Sequence, residues 1–382
     1  MITQFINGKI IRDGHAHKED LWIDEGVIIT PQEAADVVVN LHGHYVAPGY
    51  IDLQINGGFG VDFTTNLQEV RTTAKKLLRH GVTAFLATLI SSPAERYREQ
   101  LADFEPQAGG KEGAAVLGLH LEGPFFNPEQ NGAHSPQYIR DLSLDTLESM
   151  YGEMEHVKMV TLAPEISGAL DAIKSLSRRG IVVAAGHTNA TEEQLSEGIE
   201  AGLSVVTHLY NAMSPFHHRR SGVVGATLLN KNLHFSIISD GVHVNDAGLH
   251  LAWRMNSKGL FLVSDAVALW GVPKKRASQG QVDILADAKK VYVVETGRLA
   301  GALMGLDANV RHLKTVTGCS AAYAIEAAST KPARILGLEH QIGSLKVGCQ
   351  ADLVILDHDL DVQATYIKGE CVYTRRHLSD ES

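Results

Sequence analysis

The chain carries two hydrophobic rhythms. Between residues 49 and 340, short and nearly unbroken apolar runs recur at Tyr50–Ile55, Thr83–Leu89, Ala115–Leu121, Lys158–Ala163, Ile181–Ala185, Ser204–Thr207, Phe235–Ile238 and Leu260–Val263. Each leads into a polar or glycine-containing turn and then into a stretch of helical periodicity. Strands apolar on both faces belong to parallel sheets covered by helices. The spacing predicts those helices over Leu67–His80, Pro93–Phe104, Asp145–Met154, Ser167–Arg179, Thr191–Ala201 and Asn245–Ser257. Eight such units predict an α/β fold, a (β/α)₈ barrel. An open doubly wound sheet is the alternative, but no G-x-G-x-x-G follows the first run.

The two ends read differently. Gln4–Ile6, Lys9–Ile11, Leu21–Asp24, Val27–Ile29 and Val37–Leu41 are short strand signals separated by turns such as Asn7-Gly8 and Asp24-Glu25-Gly26. Asp352–Leu356, Ala364–Ile367 and Glu370–Thr374 repeat the pattern. Neither end suffices for a stable sheet, so residues 1–48 and 341–382 are expected to share one small β-sandwich beside a catalytic barrel over 49–340.

Composition narrows the function. The 382 residues carry a formal net charge of −10, which argues against a general nucleic-acid binder. A small anionic substrate needs only one or two cations and stays open. Cys319, Cys349 and Cys371 form no C-x-x-C pair, which fits free thiols in a reducing compartment. The N-terminus has neither the basic nor the apolar segment of a signal peptide, and no run is long enough to span a bilayer. A cytoplasmic protein is expected.

A barrel keeps its chemistry at the C-terminal ends of its strands, and the unusual residues lie there. The third run ends at Glu122, the fifth leads to His187, the sixth to His208 and the eighth to Asp265. Glu122, His187 and His208 make a His₂Glu set, which suits zinc with one position left for water; iron, cobalt or manganese also fit such donors. A cation there activates water and polarises a carbonyl. Asp265 is then placed to take the water's proton and pass it to a leaving nitrogen.

Other histidines read more plainly. His15-Ala-His17 and His42-Gly-His44 precede the barrel and are expected to bind no metal. His120 shares a strand side with Glu122 and reads as a barrel-interior residue. His217 and His218 adjoin Arg219 and Arg220 in a loop at the active rim, where a phosphate contact is the sharper reading and a solvated basic loop the blander one.

At these residues the chain resembles the amidohydrolase superfamily and, within it, the N-acetylglucosamine-6-phosphate deacetylases. The resemblance runs nearly end to end through Ala47–Asp52, His120–Pro124, Leu162–Glu165, Gly186–Ala190, Thr207–Met213, Asp240–His243, Ser264–Ala266 and Gly343–Leu353. It implies Glu122, His187 and His208 as metal ligands and Asp265 as the catalytic carboxylate. It further implies substrate contacts from Ala133, His134, Asn211, Ala212, Arg219, His243, Leu299, Ala300 and Gly301, with His134 polarising the acetyl carbonyl and Arg219 answering a phosphate. Family members are typically homodimers whose phosphate site reaches across the interface.

Two departures qualify the resemblance. Gln54 and Asn56 stand where many amidohydrolases carry His-x-His, so one metal per site is expected rather than two. Ala300–Leu306 replaces a more serine-rich segment and bears on sugar identity. The implied reaction is deacetylation of N-acetyl-D-glucosamine 6-phosphate. The galactosamine epimer, a cyclic-amide hydrolase and a non-catalytic scaffold are the alternatives. Retention of all four chemical residues argues against the scaffold.

Overall fold

The computed structural model describes residues 1–375. Residues 376–382, the end of the stretch expected to join the small sandwich, lie outside the described residues. Eight parallel strands form the central sheet: β1 (Tyr50–Ile55), β2 (Val82–Ile90), β3 (Ala115–Glu122), β4 (Val157–Leu162), β5 (Val182–Ala185), β6 (Val205–Val206), β7 (His234–Ile237) and β8 (Leu260–Leu262). They lie in chain order, each hydrogen-bonded to the next. All nine residues of β2 are buried, as its unbroken apolar run requires.

The seam between β8 and β1 closes in two parts. On the catalytic side, the Asp265 N–H donates to the Gln54 carbonyl and the Asn56 N–H to that of Ala266, both at 2.9 Å. Toward the opposite end, the turn at Ala327–Ala328 wedges in, accepting from the N–H groups of Leu262 and Ile51 at 2.8 Å. The eighth strand thus meets the first partly through a segment that follows it by more than sixty residues.

Helices α1 (Val70–Leu77), α2 (Ala94–Ala102), α3 (Leu144–Tyr151), α4 (Ala169–Arg178), α5 (Glu192–Ala201), α6 (Gly222–Leu229), α7 (Asp246–Asn256) and α8 (Leu306–Thr317) follow the strands in turn. Their starts are written locally. Ser143 with Thr146 and Thr191 with Gln194 form capping boxes, and Asn245 caps α7 through the Gly248 N–H. Helices α6 and α8 have no counterpart among the expected ones. The run Gly-Val-Val-Gly-Ala-Thr-Leu-Leu of α6 is apolar and β-branched enough to hide its helical period.

Two apolar clusters explain why the sheet closes. The larger joins the strands to the helices. The other takes alternate residues of the strands, such as Ile51 and Leu53 or Ala84 and Leu86, and none from α1–α8, so it fills the barrel's lumen. His120 lies in a polar layer within the barrel. Its Nδ1–H donates to the Leu53 carbonyl, its Nε2 accepts from Thr161, and the Thr161 hydroxyl in turn accepts from Thr207. Burial keeps His120 neutral, down at about 4. This is the interior role expected of it.

Two further sheets carry the chain ends. Val27–Ile29, Leu21–Asp24, Thr3–Ile6 and Val37–Asn40 form one, in that order. The other has six strands and draws on both ends: Glu370–Thr374, Val362–Ile367, Leu353–Leu356, Tyr45–Pro48, Lys9–Arg12 and His15–His17. Phe5, Ile10, Leu21, Val46, Leu353 and Ile355 share the core between them. A third sheet was not expected from the sequence. Arg276–Gln279, Val282–Asp287 and Lys290–Val293 pair antiparallel between β8 and α8.

Candidate functional site

The strand ends open into a cavity of about 400 Å³. Glu122 is the last residue of β3, while His187, His208 and Asp265 follow β5, β6 and β8. The last three have φ of +52°, +34° and +48°, a left-handed conformation that side chains other than glycine seldom adopt. The chain bends sharply as it leaves each strand and turns these side chains inward. Such backbone strain is concentrated at functional sites.

Glu122, His187 and His208 meet at one point. Glu122 Oε1 lies 3.0 Å from His208 Nε2 and 3.4 Å from His187 Nε2, and the two nitrogens are 3.2 Å apart. Ligand bonds of about 2.0–2.2 Å in a tetrahedral array separate neighbouring donor atoms by about 3.3 Å. His187 Nδ1 faces the Gln130 carbonyl at 2.9 Å, which can only accept. The proton therefore sits on Nδ1, leaving the Nε2 lone pair free for a metal. The donor set and its spacing fit one divalent cation. Burial would push the Glu122 carboxyl up, but the imidazoles of His187 and His208 beside it outweigh burial and hold Glu122 well below the usual range.

The neighbouring amides serve as donors. Gln54 Nε2 donates to Glu122 Oε1 at 2.8 Å, and Asn56 Nδ2 to Asp265 Oδ1 at 2.6 Å. Burial, with the Glu122 charge adding, raises the Asp265 carboxyl to about 7. A cation held by Glu122, His187 and His208 would oppose that rise.

His134 faces the same point. The Ser91 backbone N–H donates to its Nδ1 at 3.2 Å, which makes Nδ1 an acceptor and puts the ring proton on Nε2. Nε2 lies 3.8 Å from Glu122 Oε2. Burial, aided by the nearby His187, holds His134 neutral, down at about 3. The ring thus presents a neutral N–H donor to the cavity. Phe126 stacks on His187 with centroids 4.2 Å apart and meets His134 edge-on, keeping both rings dry.

Ala133, Asn211, Ala212, His243, Leu299, Ala300 and Gly301 also line the cavity. His243 is oriented by Asp240, whose carboxylate lies 2.8 Å from Nδ1. The stretch at Ala302 lies beside the seam, its N–H bonded to the Asp265 carbonyl at 2.9 Å. Gly301 has φ of +65°, and a Cβ there would stand 2.7 Å from that carbonyl oxygen. Arg219 is the expected residue that the structure keeps apart: it is exposed, in the loop before α6, and does not line the cavity. His15, His17, His42 and His44 join no metal-binding cluster among the described residues.

Four cavity-related residues escaped the sequence reading. Ser91 fixes the His134 tautomer, and Asn131 holds the His134 carbonyl at 2.6 Å. Arg298 donates to Asn131 and is the one Lys or Arg lining the cavity among the described residues. Gln279 lines it from the three-stranded sheet. The apolar pairs Val282 with Ile284 and Val291 with Val293, each two apart, were the strand signal available for the sheet that carries Gln279.

A barrel with a His₂Glu set at ligand spacing and a buried carboxylate beside it fits a hydrolase of the amide-cleaving barrel class. Residues 45–372 match the model of the Amidohydrolase family. An N-acetylglucosamine-6-phosphate deacetylase of Danio rerio is 41% identical over 98% of this chain and 97% of its own. An N-acetylgalactosamine-6-phosphate deacetylase of Escherichia coli O157:H7 is 35% identical over 94% and 96%. The crystal structure of an N-acetylglucosamine-6-phosphate deacetylase from Thermotoga maritima superimposes with a TM-score of 0.87, at 30% identity over 98% of this chain and 100% of that one. The chain belongs to the amidohydrolase family and, within it, to the N-acetylglucosamine-6-phosphate deacetylases.

Proposed function

We propose that the cavity hydrolyses N-acetyl-D-glucosamine 6-phosphate to D-glucosamine 6-phosphate and acetate. The observation that carries this reading is the meeting of Glu122, His187 and His208 at ligand spacing, in a chain whose relatives bear that activity in their names. Zinc is the proposed metal, held by these three residues; it supplies polarisation of the carbonyl and a lowered pKa for water. One ion per site is proposed, because the Gln54 and Asn56 amides turn their N–H groups toward the carboxylates.

Each step draws on a residue of the chain. The His134 Nε2–H donates to the acetyl oxygen and stabilises the charge that grows there. Asp265 takes a proton from the attacking water as its oxygen bonds to the acetyl carbon. The carbon–nitrogen bond then breaks as Asp265 returns that proton to the amine. Ala133, Asn211, Ala212, His243 and Leu299–Gly301 hold the sugar phosphate.

Arg219 stands on a loop with Phe216, which is 59% exposed, and does not line its own cavity. This arrangement supports a homodimer in which Arg219 meets the phosphate in the other subunit's site. A solution mass near twice 41.3 kDa is expected, and a monomer at working concentration would remove this part of the reading.

The activity is tested by acetate release from N-acetylglucosamine 6-phosphate, its galactosamine epimer and the two unphosphorylated sugars, before and after chelation. Release is expected from the phosphorylated gluco sugar foremost, abolished by chelator and restored by one equivalent of metal. Faster release from the galacto epimer would reassign the sugar. Silence on all four with metal bound would reject the deacetylase reading.

A further inference from the structure

Among the polar side chains that line the cavity, Gln279 takes no part in the metal centre or the proton transfer. Gln279 is 3% exposed and lines the cavity, yet its Oε1 and Nε2 have no hydrogen-bond partner among the described residues. Other buried amides near the centre are employed: Gln54 on Glu122, Asn56 on Asp265 and Asn131 on His134. A buried amide without a partner lowers stability, and an apolar residue of the same shape would not. A purely structural position at the end of a strand gives no reason to keep it.

Its location is fixed rather than adaptable. Gln279 ends the first strand of the three-stranded sheet, opposite Val282. The next residue, Gly280, donates its N–H to Asp62 Oδ2 at 2.7 Å, and Gln281 Oε1 accepts from Ser92 Oγ at 3.3 Å. These bonds tie the hairpin to the loops after β1 and β2. The same insertion leads on to Arg298 and Leu299–Gly301, so one segment outside the barrel supplies much of one cavity wall.

We infer that Gln279 is a specificity-determining residue whose amide hydrogen-bonds the ring hydroxyls of the amino sugar. A primary amide offers a donor and an acceptor side by side, which matches two adjacent hydroxyls of a pyranose. The acetamido end is occupied by Glu122, His134 and Asp265, so Gln279 reads ring positions remote from the bond that breaks. This inference rests on the deacetylase reading given above.

The test compares the native enzyme with Gln279→Met and Gln279→Asn on N-acetylglucosamine 6-phosphate and on its 3-deoxy and 4-deoxy analogues. Gln279→Met is expected to raise KM about tenfold, the loss of one or two hydrogen bonds. Its thermal midpoint should stay level or rise, because an unpaired amide has been removed. Gln279→Asn keeps the amide but shortens its reach and should show the same direction. The native enzyme should lose a similar factor on one deoxy analogue, and Gln279→Met should lose no more on that analogue. A KM within twofold of native for both variants would overturn the inference. So would a lowered thermal midpoint with equal losses on all three sugars, which marks a structural role. A native enzyme inert on the parent sugar would overturn the deacetylase reading itself.

Discussion

Asp265→Asn is expected to lower kcat for acetate release by at least about 10³-fold, or ~4 kcal/mol, while leaving bound metal and KM nearly unchanged. The substitution is nearly isosteric, and the carbonyl oxygen of the new amide can still accept from Asn56 Nδ2, which now bonds Asp265 Oδ1 at 2.6 Å. The ligand atoms of Glu122, His187 and His208 are untouched. What disappears is the group that both removes a proton from water and delivers one to nitrogen. Measuring single-turnover acetate release beside metal content checks it. Turnover within tenfold of native would take Asp265 out of proton transfer.

Glu122→Gln should fail in the opposite manner. It keeps the shape of the side chain but replaces the anion between two imidazoles with a neutral amide, a poor ligand beside them. Metal affinity is expected to fall at least about 100-fold, a larger loss than the 10–100-fold typical of changes to groups supporting the ligands. Elemental analysis after dialysis should drop from one equivalent to nearly none, and activity should return in part under excess metal. Retention of a full equivalent would show that His187 and His208 recruit another donor. Together the two variants separate binding of the ion from use of the proton.

Much of this was legible in the sequence because barrel chemistry has a fixed address. The eight strands are unbroken apolar runs, and residues that follow them at chain positions 122, 187, 208 and 265 share one rim whatever the loops do. The half-buried strands between β8 and α8 were not read, although those of the chain ends were. In Arg-Ala-Ser-Gln and Val-Asp-Ile-Leu-Ala-Asp the alternation of apolar and polar positions is broken, and the sequence analysis assigns no element there. With them went Gln279 and Arg298. Ser91 was illegible for another reason. Its role is a backbone N–H given to a ring 43 residues later, and nothing in the side chain announces that. Arg219 shows the converse case: the motif names the residue, but a single chain does not bring it to the cavity.

The seam has a consequence for how the protein comes into being. The half of the seam remote from the catalytic side cannot be completed until the Ala327–Ala328 turn arrives to accept from Ile51 and Leu262, and Tyr45–Pro48 waits longer still for Leu353–Leu356. During synthesis, nearly the whole polypeptide must leave the ribosome before the ring can shut. Until then the open edges of β1 and its neighbours stay unpaired, and contacts this distant in sequence form slowly. Chains that stop before residue 327 lack the acceptors for the Ile51 and Leu262 N–H groups and leave that half of the seam open.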